Sequence, residues 1–482
     1  MRSGGSASPM GVDPLDMLRD RGGRITASEL QRFIPASCLA LSFLTFAAIF
    51  LFGNREIYSA VLSQLGLTPY TFPFLDAYGV LSTGECHRYG IDVIAENPCD
   101  ILGRRLDYSP FWLITAKLGL NTGFTPILGL TLDLLFLIWV FFLPPARGWK
   151  AVLVFTLAVL SSMVAFALER GNLDLAIFVV AVVAAHWALR SKLWRIATFA
   201  LIALAALIKY YPGVMLILAI RERLAAFGLL VFAAIGVTGL FVAYEGTDLL
   251  RTLAQIENGY WFTIAFGAEN LPRGLVTLLP GLFPDPAWAV AVELGFAILA
   301  GFGAIMIAVS ENLHEGLDLL PERIRNLLLI GCALIVGCFF AAQNGPYRGI
   351  YFLLVLPGLT ALWQAPIAAP ARQRFGLTSG CILFLMWNDT LYRAMMDCFG
   401  AFATTPEESA AAQFIFWLVR EIAWWWVVTV LLALLLCLIA QSETGRQLLR
   451  ILPHRPAPLA AAAAGERKPR AEGARDDPRR PS

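Results

Sequence analysis

Apolar runs long enough to cross a bilayer alternate with short polar breaks along most of this chain. Residues 36–52, 122–143, 224–243, 287–310, 327–342, 351–363, 377–391 and 414–440 each read as a helix crossing the membrane. Between 151 and 220 the pattern tightens. Runs 151–168 and 173–189 flank Glu169-Arg170-Gly171-Asn172, and runs 196–208 and 213–220 flank Lys209-Tyr210-Tyr211-Pro212. The count is about 12 spans, several shorter than the usual ~20 residues. The short runs around Lys209 are expected to be broken or half-inserted helices, which are tolerated only where they line a polar cavity. No direct or inverted repeat is evident.

Basic residues orient these spans. Arg147 and Lys150 precede the first interrupted pair, Arg190, Lys192 and Arg195 separate the two, and Arg221 and Arg223 follow the second. If these turns are cytoplasmic, both interruptions face the other side. The same rule makes 1–35 a cytoplasmic leader and puts both termini inside. Run 36–52 lacks a small-residue cleavage site and reads as a retained helix. Residues 54–110 form a long first extracytoplasmic loop, and its apolar patches 61–67 and 72–81 suggest interfacial helices. A second outer loop, 244–286, carries Glu257, Trp261, Glu269, Asn270 and Arg273, and a third polar cluster spans 343–348. The tail, 441–482, is rich in Arg, Pro and Ala and reads as a disordered cytoplasmic tail attracted to anionic lipid.

Composition agrees with this picture. Of 482 residues, 58% are hydrophobic and 15% charged, and the mean hydropathy is +0.67. A soluble domain carries about 25% charged residues, so this is an all-α polytopic membrane protein. A net charge of +2 gives no sign of a nucleic-acid partner. Five of the eight cysteines, Cys38, Cys332, Cys338, Cys381 and Cys437, lie in apolar runs and read as small core residues. Cys86 and Cys99 share the first outer loop, where an oxidising compartment would allow a disulfide. The four histidines are scattered, and no metal-binding spacing occurs. No metal site or cofactor is implied, and a need for a divalent metal stays open.

An ionised group at membrane depth usually marks a site. Arg170, Lys209 and Arg348 fall by topology at one membrane face and suit a lipid-linked phosphate. Their plainer reading is snorkelling to the interface. Asp76, flanked by Phe74, Leu75, Ala77 and Tyr78, is a candidate general base, because apolar flanks desolvate a carboxylate. Taken alone, its plainer reading is a surface loop residue or helix cap. Asp107, in Asp107-Tyr108-Ser109-Pro110, is its rival. Glu169 adjoins Arg170 and fits a structural pair. Asn172, Tyr210 and Tyr211 suit sugar hydroxyls or a ring face, although tyrosines are also common at membrane interfaces. Trp424-Trp425-Trp426 reads as packing or interfacial belt.

Taken together, these residues resemble the paired signature of family 87 glycosyltransferases: Glu169-Arg170-Gly171-Asn172 before an apolar helix, then Ala206-Leu207-Ile208-Lys209-Tyr210-Tyr211-Pro212. The early-loop Asp76, Tyr108-Ser109-Pro110 and the Tyr347-Arg348 turn are also similar. The resemblance covers about 36–440 and implies a GT-C-type bundle with its active site outside the cytoplasm. It implies a hexose donor on a polyprenyl phosphate, mannose foremost, a lipid or glycan acceptor, and inversion at the anomeric carbon. Asp76 is implied as the base, and Glu169, Arg170, Asn172, Lys209, Tyr210, Tyr211, Tyr347 and Arg348 as substrate-binding residues. Many relatives carry a Gln-type residue and a shorter first loop where this chain has Asn172 and a long Cys-bearing loop, which leaves the acceptor open. A lipid-linked substrate transporter or flippase is the rival class, because transporters also use broken helices with a charge at the break.

Overall fold

The computed structural model describes residues 27–70, 72–254, 265–310, 313–402 and 406–451. These residues are helical throughout, apart from loops and one isolated bridge between Phe266 and Asn344. Glu257, Trp261, most of the leader and most of the tail lie outside the described residues.

Six helices among the described residues are long and apolar enough to cross a membrane: Phe33–Phe52, Thr122–Phe141, Leu224–Leu253, Trp288–Val309, Glu322–Ala341 and Ala410–Gln441. Trp149–Val159 and Ser162–Arg170, bent by 41° at the break between them, make a seventh if counted as one span. The expectation was about 12. The difference lies in shorter helices such as Asp174–Trp187, Tyr211–Arg221 and Phe352–Gln364. Local chemistry sets these breaks. Ser161 caps the second half of the bent pair by accepting a hydrogen bond from the Val164 N–H. Gly171 then ends that helix in the left-handed conformation, φ 55°. The Asn172 N–H returns to the Ala167 carbonyl and the Gly171 N–H to that of Leu168, a glycine-terminated Schellman end. The Asn172 side chain accepts from the Asp174 N–H and so starts the next helix. Lys209 is extended, and Pro212 opens a 3₁₀ turn, Tyr211–Arg221, in place of the expected apolar helix.

Glu322–Ala341 is central. It packs against Phe352–Gln364, Tyr211–Arg221, Pro406–Gln441 and Asp174–Trp187. Leu327, Leu334, Ile350, Phe352, Leu356 and Leu431 are fully buried there. Gly331 permits the close approach, since a Cβ would stand 2.6 Å from Val355. Trp424 stacks on Phe266 at 4.1 Å within this core, so it packs and is not a belt residue.

The first loop forms two helices, Arg55–Gln64 and Leu75–Arg88, followed by an irregular excursion. Cys86 and Cys99 form a disulfide with Cα atoms 5.7 Å apart, beside a small cluster of Val93, Ile94 and Leu106. One expectation needs correction: residues 443–451, assigned to a disordered tail, form a helix. Glu443 pairs with Arg446 and Gln447 one turn on, Thr444 donates to the Glu222 carbonyl, and Gln447 accepts from the Leu224 N–H. Such i,i+3 and i,i+4 pairs support a short helix that apolar periodicity does not reveal.

Phe74 is the single non-glycine residue with positive φ among the described residues, at φ 69°. Its N–H donates to the Glu169 carbonyl at 2.7 Å, which ties the first loop to the interrupted pair. Its ring fills the space left by Gly129, where a Cβ would stand 2.2 Å from the ring, and also contacts Gly171. Gly129→Ala should therefore lower stability by about 1–3 kcal/mol through overpacking. In thermal unfolding, combination with Phe74→Ala should cost less than the sum of the two single variants. Additive losses would show that the ring does not hold this space.

Candidate active site

The two interruptions meet through one carboxylate. Asp174 is fully buried at the start of its helix. Lys209 Nζ donates to its Oδ1 at 2.7 Å, and the Tyr211 hydroxyl donates to the same oxygen. Arg348 Nε lies 3.5 Å from Oδ2, and its guanidinium covers the Tyr211 ring. Tyr351 meets the Tyr211 hydroxyl from behind. Lys209 is itself buried, between the rings of Tyr108 and Tyr347 at 5.3 and 5.4 Å. Charges so enclosed require partners, and Asp174 supplies the countercharge for both cations.

Asn172 carries this cluster to Asp76. Its Oδ1 accepts from Lys209 Nζ at 3.2 Å, and its Nδ2 donates to Asp76 Oδ2 at 2.6 Å. On its other side, Asp76 Oδ1 faces Arg104 at 3.4 Å. Asp100 holds Arg104 at 2.8 Å, and the Leu75 carbonyl accepts from it. Arg104 passes over Gly79, where a Cβ would stand 2.7 Å from the guanidinium. The Asp76 side chain keeps 16% exposure and faces a polar chamber of about 230 Å³. Asp107, Tyr108, Arg105, Arg170 and Tyr347 share its wall. Asp107 retains solvent contact. Even so, the surrounding protein mass and then the Asp76 charge push its carboxyl above the usual carboxylate range. A pocket with paired carboxylates and arginines suits acid–base chemistry on a substrate that carries negative charge.

Asp76, Asn172, Lys209, Tyr211, Tyr347 and Arg348 are thus brought together. Arg170 stands apart from the Asp174 cluster. Its guanidinium packs over Tyr70 and Phe166 at 4.3 and 4.9 Å, its Nε lies 3.1 Å from Glu169, and it lines the polar chamber. Tyr210 neighbours Ser109 instead. Asp174, Arg104 and Tyr351 are the residues that sequence reasoning missed. Asp174 follows Asn172 by two positions, and as a carboxylate opening an apolar run it carried the same signal as Lys209. Among the described residues no group of three or more His, Cys, Asp or Glu side chains could hold a metal ion.

Residues 108–320 match the model of glycosyltransferase family 87. The match covers 213 of the 482 residues and supports an assignment to that family. The matched stretch contains Tyr108, Glu169–Asn172, Asp174 and Lys209–Tyr211, while Asp76, Arg104, Asp107 and Arg348 lie outside it. No curated protein and no solved structure matches the chain. The match and the apolar helices of membrane-crossing length together support a membrane glycosyltransferase.

The ion pair at Asp174 is testable without substrate. Asp174→Asn leaves Lys209 buried without its partner and should cost about 3–5 kcal/mol. Combination with Lys209→Met should recover part of that loss in thermal melts. A double variant that loses the sum of both singles would show that the two side chains do not act as a pair.

Proposed function

We propose that this chain is a GT-C-type enzyme. It moves a hexose, mannose foremost, from a polyprenyl-phosphate-linked donor to a lipid or glycan acceptor on the extracytoplasmic side. The observation that carries this reading is Asp76: a carboxylate oriented by Asn172 and Arg104 and open to a chamber whose wall holds arginines. In the step that fits, the acceptor hydroxyl gives its proton to Asp76. Its oxygen forms a bond to the anomeric carbon as the bond to the lipid phosphate breaks. Displacement from the opposite face inverts that carbon, and the phosphate departs as an anion. Arg170 and Arg104 in the chamber wall stabilise the charge that develops there. Lys209 and Arg348, held by Asp174, fix Asn172 and Tyr211 and so set the orientation of Asp76. The Cys86–Cys99 disulfide supports the extracytoplasmic placement, because such bonds persist in oxidising compartments.

Asp76→Asn keeps the shape and cannot take the proton. In a sugar-transfer assay its turnover should fall by about 10²–10⁴-fold, with donor binding retained. Asp107→Asn, measured alongside, separates the two carboxylates. Loss in Asp107→Asn alone moves the base to Asp107. Full activity in both removes the transferase reading of this chamber and favours the transporter class.

Sidedness is testable at the first outer loop. Glu96 is exposed. A membrane-impermeant maleimide should label Glu96→Cys on intact cells. Labelling only after permeabilisation would reverse the orientation.

A further inference from the structure

A second chamber, of about 800 Å³, adjoins Phe74. Phe43, Phe46, Phe50, Leu62 and Phe72 are among the apolar side chains that make up most of its wall. Leu51 and Leu130, which also line it, are exposed, so an alkyl chain can enter there. Two carboxylates interrupt this wall. Asp133 stands within the apolar helix Thr125–Phe141, is 1% exposed, and neither of its oxygens has a hydrogen-bond partner. The Glu169 side chain accepts no hydrogen bond either, and its partner is the ion-pair contact to Arg170. Among the described residues no cation lines the chamber: Arg55 stacks over Phe50 at 3.5 Å and Arg170 pairs with Glu169, but neither belongs to the wall. A buried carboxylate without a partner is costly and is retained in membrane helices where it meets a ligand. Carboxyl groups offer an anionic head no positive charge and present acceptor oxygens to hydroxyls.

We infer that this chamber binds the acceptor as an uncharged, polyhydroxylated lipid. Its alkyl chains fill the Phe- and Leu-lined space, and its head hydroxyls donate to Asp133 and Glu169. The word acceptor rests on the transfer reaction proposed above, whereas the binding does not. The position suits that role. The Phe74 N–H bonds the Glu169 carbonyl, and Asp76 follows Phe74 by two residues, so a head seated against Glu169 lies next to the polar chamber.

The test uses the full chain in phosphatidylcholine nanodiscs. Photoreactive dodecyl probes carry a glucoside, a phosphate or a trimethylammonium head, and labelled peptides are mapped by mass spectrometry. The glucoside should label the chamber in preference to the other two. Asp133→Leu should reduce that preference by about three- to tenfold, the loss expected for one hydrogen bond. Replacing an unpartnered buried carboxyl by an apolar side chain should not weaken the fold. Ala47→Trp, which fills the chamber from its wall, should block labelling by all three probes and keeps the test decisive if Asp133→Leu alters folding. Equal labelling by the phosphate probe, preference for the ammonium head, or an unchanged ratio in Asp133→Leu would overturn the inference. The readout is binding without turnover, so its failure is distinct from a failure of the Asp76 assignment.

Discussion

The buried contact between Lys209 and Asp174 organises the rest of the site. Each side chain closes an interruption in the helical framework, and neither charge is tolerable in that surrounding alone. Their attraction ties the start of the Asp174–Trp187 helix to the end of the Lys192–Ile208 helix. Everything polar nearby hangs on this pair. Tyr211 and Arg348 approach the same carboxylate, and Asn172 shares the ammonium and passes the orientation on to Asp76. Two interruptions separated in sequence thereby hold one catalytic candidate through the Asn172 side chain.

Around that pair the protein keeps two environments apart. The polar chamber holds Asp76, Asp107 and several arginines, and the apolar chamber holds Asp133 and Glu169 without a cation among the described residues of its wall. Phe74 lies at the boundary, in a left-handed conformation that a phenylalanine adopts only under constraint. Gly129 and Gly171 leave room for its ring, and the Glu169 carbonyl holds its N–H. Strain at a position that separates a charged chamber from an apolar one is consistent with a functional boundary.

Much of the site was legible in the sequence because charge inside apolar runs is conspicuous. Arg170, Lys209 and Arg348 stood out for that reason, and Asp76 for its apolar flanks. Their division of labour was not legible. Sequence order gave three cations on one membrane face. In the structure, Lys209 and Arg348 share Asp174, while Arg170 packs on Tyr70 and Phe166 beside the polar chamber. A residue's partner depends on which helix end lies opposite, and apolar periodicity carries no information about that. Arg104 was hidden among the charges of the long loop, and only the approach over Gly79 brings it to Asp76.

By itself, the sequence determined a helical membrane protein, the places where its helices break, and which polar residues stand at those breaks. These follow from hydrophobic period and from cap chemistry, both local properties. The tertiary structure alone decided that Asp174 neutralises Lys209, that Asn172 links that pair to Asp76, and that Phe74 lines the apolar chamber while Leu75 and Asp76 line the polar one. Residues 76, 104, 174, 209 and 348 become neighbours only when helices remote in sequence pack together, because countercharges and hydrogen-bond partners are chosen by distance in space.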